Sequence, residues 1–192
     1  MSVKIANTTY PVLDLLKNRW SARSFSDKEI TTDQLHTIVE AASWMFSASN
    51  EQPWRFIVGK KETDIFDQIV DTLAPGNAVW AKNAGAFIVS IVKTTFEKEG
   101  NPENAWAEHD LGAANAGLIL QALSMDIYAH PMAGFDAAKL SDTFKLSSGL
   151  KPLVVVALGY LDSADKLGDP FKERELTPRI RKPLEELIII KQ

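Results

Sequence analysis

Apolar positions in this chain recur with two periods, and the alternation between them lays out an ordered series of helices and strands. Leu35, Ile38, Val39 and Ala42 repeat at helical spacing and predict an inward-facing helix over about 32–44. Thr31 and Gln34 form a capping-box pattern at its start, with Ile30 placed to staple against Leu35. Upstream, Pro11 to Asn18 begins with a proline suited to a first helical turn and sets Val12, Leu15 and Leu16 on one side. Trp54 to Lys60 reads as a strand and Thr63 to Leu73 as a helix, broken by Ala74-Pro75-Gly76. Ala84 to Lys93 is a strand apolar enough to be covered on both faces.

Glu103 to Met125 reads as one long helix. Its glycines at 112 and 117 each cost about 1 kcal/mol relative to alanine, which implies close approach by another element, with a subunit interface nearby. A short strand over Ile127 to Ala129, a helix over Asp136 to Phe144 and a strand over Pro152 to Tyr160 follow. From Leu161 the character changes. Asp162 to Arg181 has the charge, glycine and proline of a linker, and the β-branched run Leu187 to Ile190 suits a sheet edge.

Composition narrows the function classes. With 192 residues and 45% hydrophobic content, one domain can bury roughly two-thirds to three-quarters of its unfolded surface. The net charge of -4 argues against a general binder of nucleic acid or membrane surface. The absence of cysteine excludes a disulfide framework, a thiolate-held cluster and a thiol nucleophile, and fits a cytoplasmic protein. The longest apolar run, Leu153 to Leu158, is far short of the roughly twenty residues of a membrane span, and no secretory signal precedes it. His36, His109 and His130 lack metal-ligand spacing, so no metal site is expected. The five tryptophans read as core or interface residues.

Two stretches carry the chemistry. In Arg19-Trp20-Ser21-Ala22-Arg23, two guanidinium groups and a hydroxyl occupy alternate positions, so an extended backbone aims all three at one polyanionic ligand. Ser47-Ala48-Ser49-Asn50-Glu51-Gln52-Pro53-Trp54 ends a helix with small polar residues and enters a strand. Together with Gly76-Asn77, Pro131-Met132-Ala133-Gly134-Phe135-Asp136 and Arg179-Ile180-Arg181-Lys182-Pro183-Leu184, these stretches resemble the FMN-dependent nitroreductase family over nearly the whole chain.

That resemblance implies an α+β fold, a mixed central sheet between helices, and an intertwined homodimer with two FMN sites at its interface. The C-terminal extension would wrap the partner and add a strand. It places Arg19, Ser21, Arg179 and Arg181 at the FMN phosphate end, Trp20 among the cofactor contacts, and Arg23 beside the flavin pyrimidine, where Arg23 alternatively pairs with Asp27 or Glu29. Asn77 would contact the flavin, Pro131, Met132, Ala133 and Gly134 would lie over one face, and Ser47 would reach in from the partner. Two positions depart from the family pattern. Ala133 stands where many members have an acidic residue, and Phe46-Ser47-Ala48 stands where Pro-Ser-Ser is frequent.

The implied activity is ping-pong transfer of hydride from NAD(P)H through flavin N5 to a nitroaromatic or quinone. The short segment between Lys93 and Trp106 suggests an open, permissive pocket. A flavin reductase supplying a partner, and a non-catalytic flavin-binding sensor, fit the same residues.

Overall fold

The computed structural model describes residues 2–190. Its sheet contains β1 (Trp54–Lys60), β2 (Ala86–Lys93), β3 (Ile127–Met132) and β4 (Leu150–Tyr160) in the order β1-β2-β4-β3. All three pairings are antiparallel, where a mixed sheet was expected. The reason is topological: β3 runs parallel to β2 but is separated from it by β4, which is antiparallel to both, so no two parallel strands are neighbours.

β2 is buried on both faces, as its composition requires. Ala86, Ile88 and Val92 pack with α2 (Thr32–Ser43) and α5 (Ala107–Ser124) on one side. Phe87, Val89 and Ile91 pack on the other side against α3 (Asp64–Val70), α4 (Pro75–Ala81) and α6 (Ala137–Thr143). A register shift at Ser90/Ile91 lets β4 accommodate Pro152, so that strand starts earlier than the apolar run alone indicates. β3 likewise continues through Pro131, which a strand at the sheet edge tolerates.

The start of α2 follows its sequence signal closely. Gln34 N–H donates to Thr31 Oγ1 at 3.2 Å and Thr31 N–H donates to Gln34 Oε1 at 2.9 Å. Pro75 opens α4 rather than merely ending α3, because a proline at a first helical turn loses no hydrogen bond. Of the two central glycines in α5, Gly117 explains its own presence: a Cβ there would sit 2.8 Å from Met45 Cγ and 3.2 Å from Ala41 O. Gly112 has no such neighbour among the described residues. α1 is confined to Asp14–Asn18 and buries none of its residues, leaving Leu15 and Leu16 exposed. The stretch read as a linker contains α7 (Phe171–Leu176), and Leu184–Leu187 forms a single helical turn, α8. Ile188 to Ile190 form no strand in this chain and are exposed. No helix among the described residues is long and apolar enough to cross a membrane.

α5 also fixes the loop that carries Ser47. Asp110, 2% exposed, accepts the Ala48 N–H at 2.9 Å through one carboxylate oxygen and faces His109 Nδ1 at 3.0 Å with the other. Ser47 Oγ accepts the Gln52 N–H at 3.0 Å. Between these ties Ser49, Asn50 and Gln52 all adopt positive φ, a left-handed conformation costly for residues other than glycine.

Two outcomes follow from these buried polar groups. Asp110→Ala orphans the Ala48 amide, and denaturant melts should show a loss of about 1–3 kcal/mol. His130 is held by burial, and by the nearby Arg23 cation, with its pKa lowered to about 4 from 6.5. Between those pH values the unfolded chain binds a proton that the folded chain does not, so stability falls on acidification through that window, by up to about 3 kcal/mol. His130→Phe should flatten this dependence in melts taken from pH 7 to 4.

Candidate active site

The segment from Arg19 to Ser26 runs extended beside the ends of β3 and β4, and several independent ties hold it. His130 Nδ1 meets the Ala22 carbonyl at 2.9 Å. Ser26 N–H donates to Tyr160 O at 2.8 Å, and Asp162 N–H donates to Ser24 O at 3.1 Å. The Ser24 hydroxyl donates to Ser163 O, and Phe25 forms a bridge with Leu161. Phe25 occupies a notch that only glycine leaves open, since a Cβ on Gly159 would lie 2.4 Å from Phe25 Cδ1.

Alternation then sorts the side chains. Trp20, Ala22 and Ser24 are buried, while Arg19, Ser21 and Arg23 are half-buried on the other side. The indole of Trp20 is therefore turned into the core, edge-on to Tyr128 and beneath the Lys4 ammonium. This corrects its expected place among the ligand contacts, for which only its main chain is available.

Arg19, Arg179 and Arg181 are brought together. Burial lowers the pKa of Arg19, and the Arg179 and Arg181 cations lower it further. Arg179 is also lowered, by burial first and Arg181 second. Arg179 Nη1 donates to Lys17 O at 2.7 Å and Lys4 O at 3.1 Å, which fastens the C-terminal segment to the N-terminal one. Among the described residues, none of these three arginines pairs with a carboxylate, and neither the Arg19 guanidinium nor the Ser21 hydroxyl has a hydrogen-bond partner.

Arg23 pairs with neither Asp27 nor Glu29, because Lys61 and Lys60 take those two. Its guanidinium instead lies 3.6 Å from Glu175 and 5.7 Å from the Trp80 ring centroid, and Trp80 stacks on His130 at 4.5 Å. Glu175 carried no sequence signal: it sits in charged, aperiodic surroundings that give no hint of burial.

β3 leads from His130 to the second part of the site. Asn77, in the first turn of α4, donates from Nδ2 to Gly134 O at 2.9 Å, and Ala74 N–H reaches the same carbonyl at 3.0 Å. Asn77 and Gly134, far apart in sequence, thus form one unit, with Pro131 half-buried and Ala133 exposed beside it. Met132 is 3% exposed and belongs to the core, so its side chain is not a surface contact. No hydrogen bond or ion pair among the described residues connects Ser47 to this unit or to the arginines.

A cavity of about 550 Å³ lies between Ser26–Glu29 and Lys60–Thr63, and one of about 290 Å³ adjoins Arg23, Asn83 and Lys166. Arg19, Asn77, Gly134, Arg179 and Arg181 thus line neither of these two cavities, whereas Arg23 borders the smaller one.

Comparison with known proteins places this arrangement. A solved structure described as an oxidoreductase containing FMN shares 33% identity, with 97% of this chain and 94% of that one covered at a TM-score of 0.92. An FMN-dependent nitroreductase from Clostridium difficile R20291 has the same fold at TM-score 0.65 and 24% identity, covering 77% of this chain and 86% of its own. A Xanthomonas oryzae pv. oryzae protein, provisionally named an NADH dehydrogenase/NAD(P)H nitroreductase, is 29% identical over 171 residues, 78% of this chain and 85% of that protein. The nitroreductase family model matches residues 16–160, from the last turn of α1 to the end of β4, and the chain belongs to the nitroreductase family.

Proposed function

We propose that this chain is an FMN-dependent oxidoreductase that passes reducing equivalents from NAD(P)H to flat, electron-poor acceptors of the nitroaromatic or quinone type. The observation that carries the reading is the meeting of Arg19, Arg179 and Arg181 without a carboxylate to neutralise them. Like charges gathered at a half-buried site raise the energy of the empty protein, and a dianionic phosphate relieves it through charge-assisted hydrogen bonds of about 1.5–3 kcal/mol each. The free Ser21 hydroxyl adds a donor on the same side of the segment.

The residues present fit the remainder of FMN as well. Arg23 provides a fixed cation for the pyrimidine end, where negative charge accumulates on reduction. The Asn77–Gly134 hydrogen bond holds the backbone after β3 in one conformation and leaves Asn77 Oδ1 free as an acceptor. Bound there, FMN would supply the hydride chemistry at its N5 for both half-reactions of a ping-pong cycle. The protein's own part is to bind, orient and polarise. No side chain is required as nucleophile, and His130, neutral at physiological pH and tied to Ala22, keeps the arginine segment in register instead of moving protons.

The absence of Arg19, Asn77 and Gly134 from both cavities of this chain also supports a homodimer that completes each site, with Ser47 as a contact from the second copy. Exposed apolar side chains at Leu13, Trp44, Phe46, Ile180, Ile189 and Ile190 give such a contact the surface it needs. The strained, tightly tied loop after Ser47 suits a rigid contribution across that interface.

Titration of FMN into apoprotein tests the reading. Arg19→Ala should weaken affinity by about ten- to a hundredfold, equivalent to about 1.5–3 kcal/mol. Unchanged affinity would remove Arg19 from the phosphate site.

A further inference from the structure

We propose that Glu175 is a positioning residue for Arg23 and sets how strongly the site favours reduced over oxidised flavin. This inference rests on the FMN reading above. Its basis is geometric: α7 delivers a carboxylate with no solvent exposure to within 3.6 Å of the one arginine assigned to the reducible ring.

Surface ion pairs explain the other acidic residues nearby, but not this one. Asp27 pairs with Lys61, Asp162 with Lys166 and Asp165 with Lys172, all on the outside. Glu175 is instead fully buried. Neither of its oxygens reaches hydrogen-bond geometry with any described group, although the main-chain amides of Arg23 and Ser24 approach closely enough to favour its ionised form. Burial raises its pKa, and the Arg23 and Lys4 cations oppose that rise. Lys4 is itself buried, and its ammonium is spent on the Arg174 and Thr177 carbonyls that bracket Glu175. Arg23 is therefore the cation whose geometry the carboxylate controls.

Two consequences follow. Held at 3.6 Å by Glu175 and lying against the Trp80 ring, the Arg23 guanidinium has little freedom to swing out of the site. The negative charge beside it also offsets part of the positive charge it presents. In a weakly screened interior such an offset persists, because counterions do not reach it. Reduced FMN, which carries its added charge at the pyrimidine end, is thus held less tightly relative to oxidised FMN than Arg23 alone would dictate.

The test is the midpoint potential of FMN bound to the full chain, measured by spectroelectrochemistry, alongside the dissociation constant of oxidised FMN and the melting temperature. Glu175→Gln should raise the preference for reduced flavin by about tenfold, which for a two-electron couple is about 30 mV upward. Glu175→Met, which leaves no unpaired amide in the interior, should shift it in the same direction if the glutamine variant fails to fold. Arg23→Gln should shift it downward. A Glu175 variant that binds oxidised FMN with an unchanged potential would overturn the proposal, even if its melting temperature falls, because that is the signature of a purely structural role, and a lowered potential would overturn the charge offset. A wild-type protein that binds no FMN would overturn the flavin reading itself, and with it this inference.

Discussion

An extended backbone turns successive side chains to opposite sides, and between Arg19 and Phe25 that geometry separates the core from the ligand-facing chemistry. The separation holds only because the segment cannot slip. A shift of one residue would bury the guanidinium groups and expose Trp20 and Ala22. His130 at the Ala22 carbonyl, Ser24 at Ser163 and Phe25 in the notch over Gly159 prevent that shift from three directions. The side chains doing so are buried, neutral or apolar, while those they aim are charged.

The same logic explains how an acidic chain gathers cations at one margin. Arg179 is anchored by main-chain carbonyls of residues 4 and 17, not by a carboxylate, so its position is fixed while its charge stays uncompensated. Arg23 is treated differently, with a buried carboxylate beside it. On the proposed reading, Arg19, Arg179 and Arg181 are left free for a strong anion. Arg23 would then be tempered beside a ring whose charge changes during turnover.

Much of this was legible in the sequence. The capping box at Thr31, the doubly buried strand β2 and the alternation of Arg19, Ser21 and Arg23 are local signals, and each was realised. Errors came where tertiary context decided. Pro75 read as a break, yet it opens a first helical turn, and the strands read over 127–129 and 152–160 extend through Pro131 at a sheet edge and back past Pro152 to Leu150. Trp20 and Met132 lie within the motifs but point inward, which a motif match does not reveal. Glu175 was invisible because its ion-pair partner Arg23 comes from the opposite end of the chain, and Asp110 because its amide partner lies 62 residues upstream.

A crystal structure of the protein grown with FMN would decide whether the arginines serve the purpose assigned to them. The phosphate is predicted within hydrogen-bond distance of Arg19, Arg179 and Arg181, with the ring system extending toward Arg23, Asn77 and Gly134. FMN seated elsewhere, for instance in the cleft lined by Lys60 and Lys61, with Arg19 still unpartnered, would contradict the account.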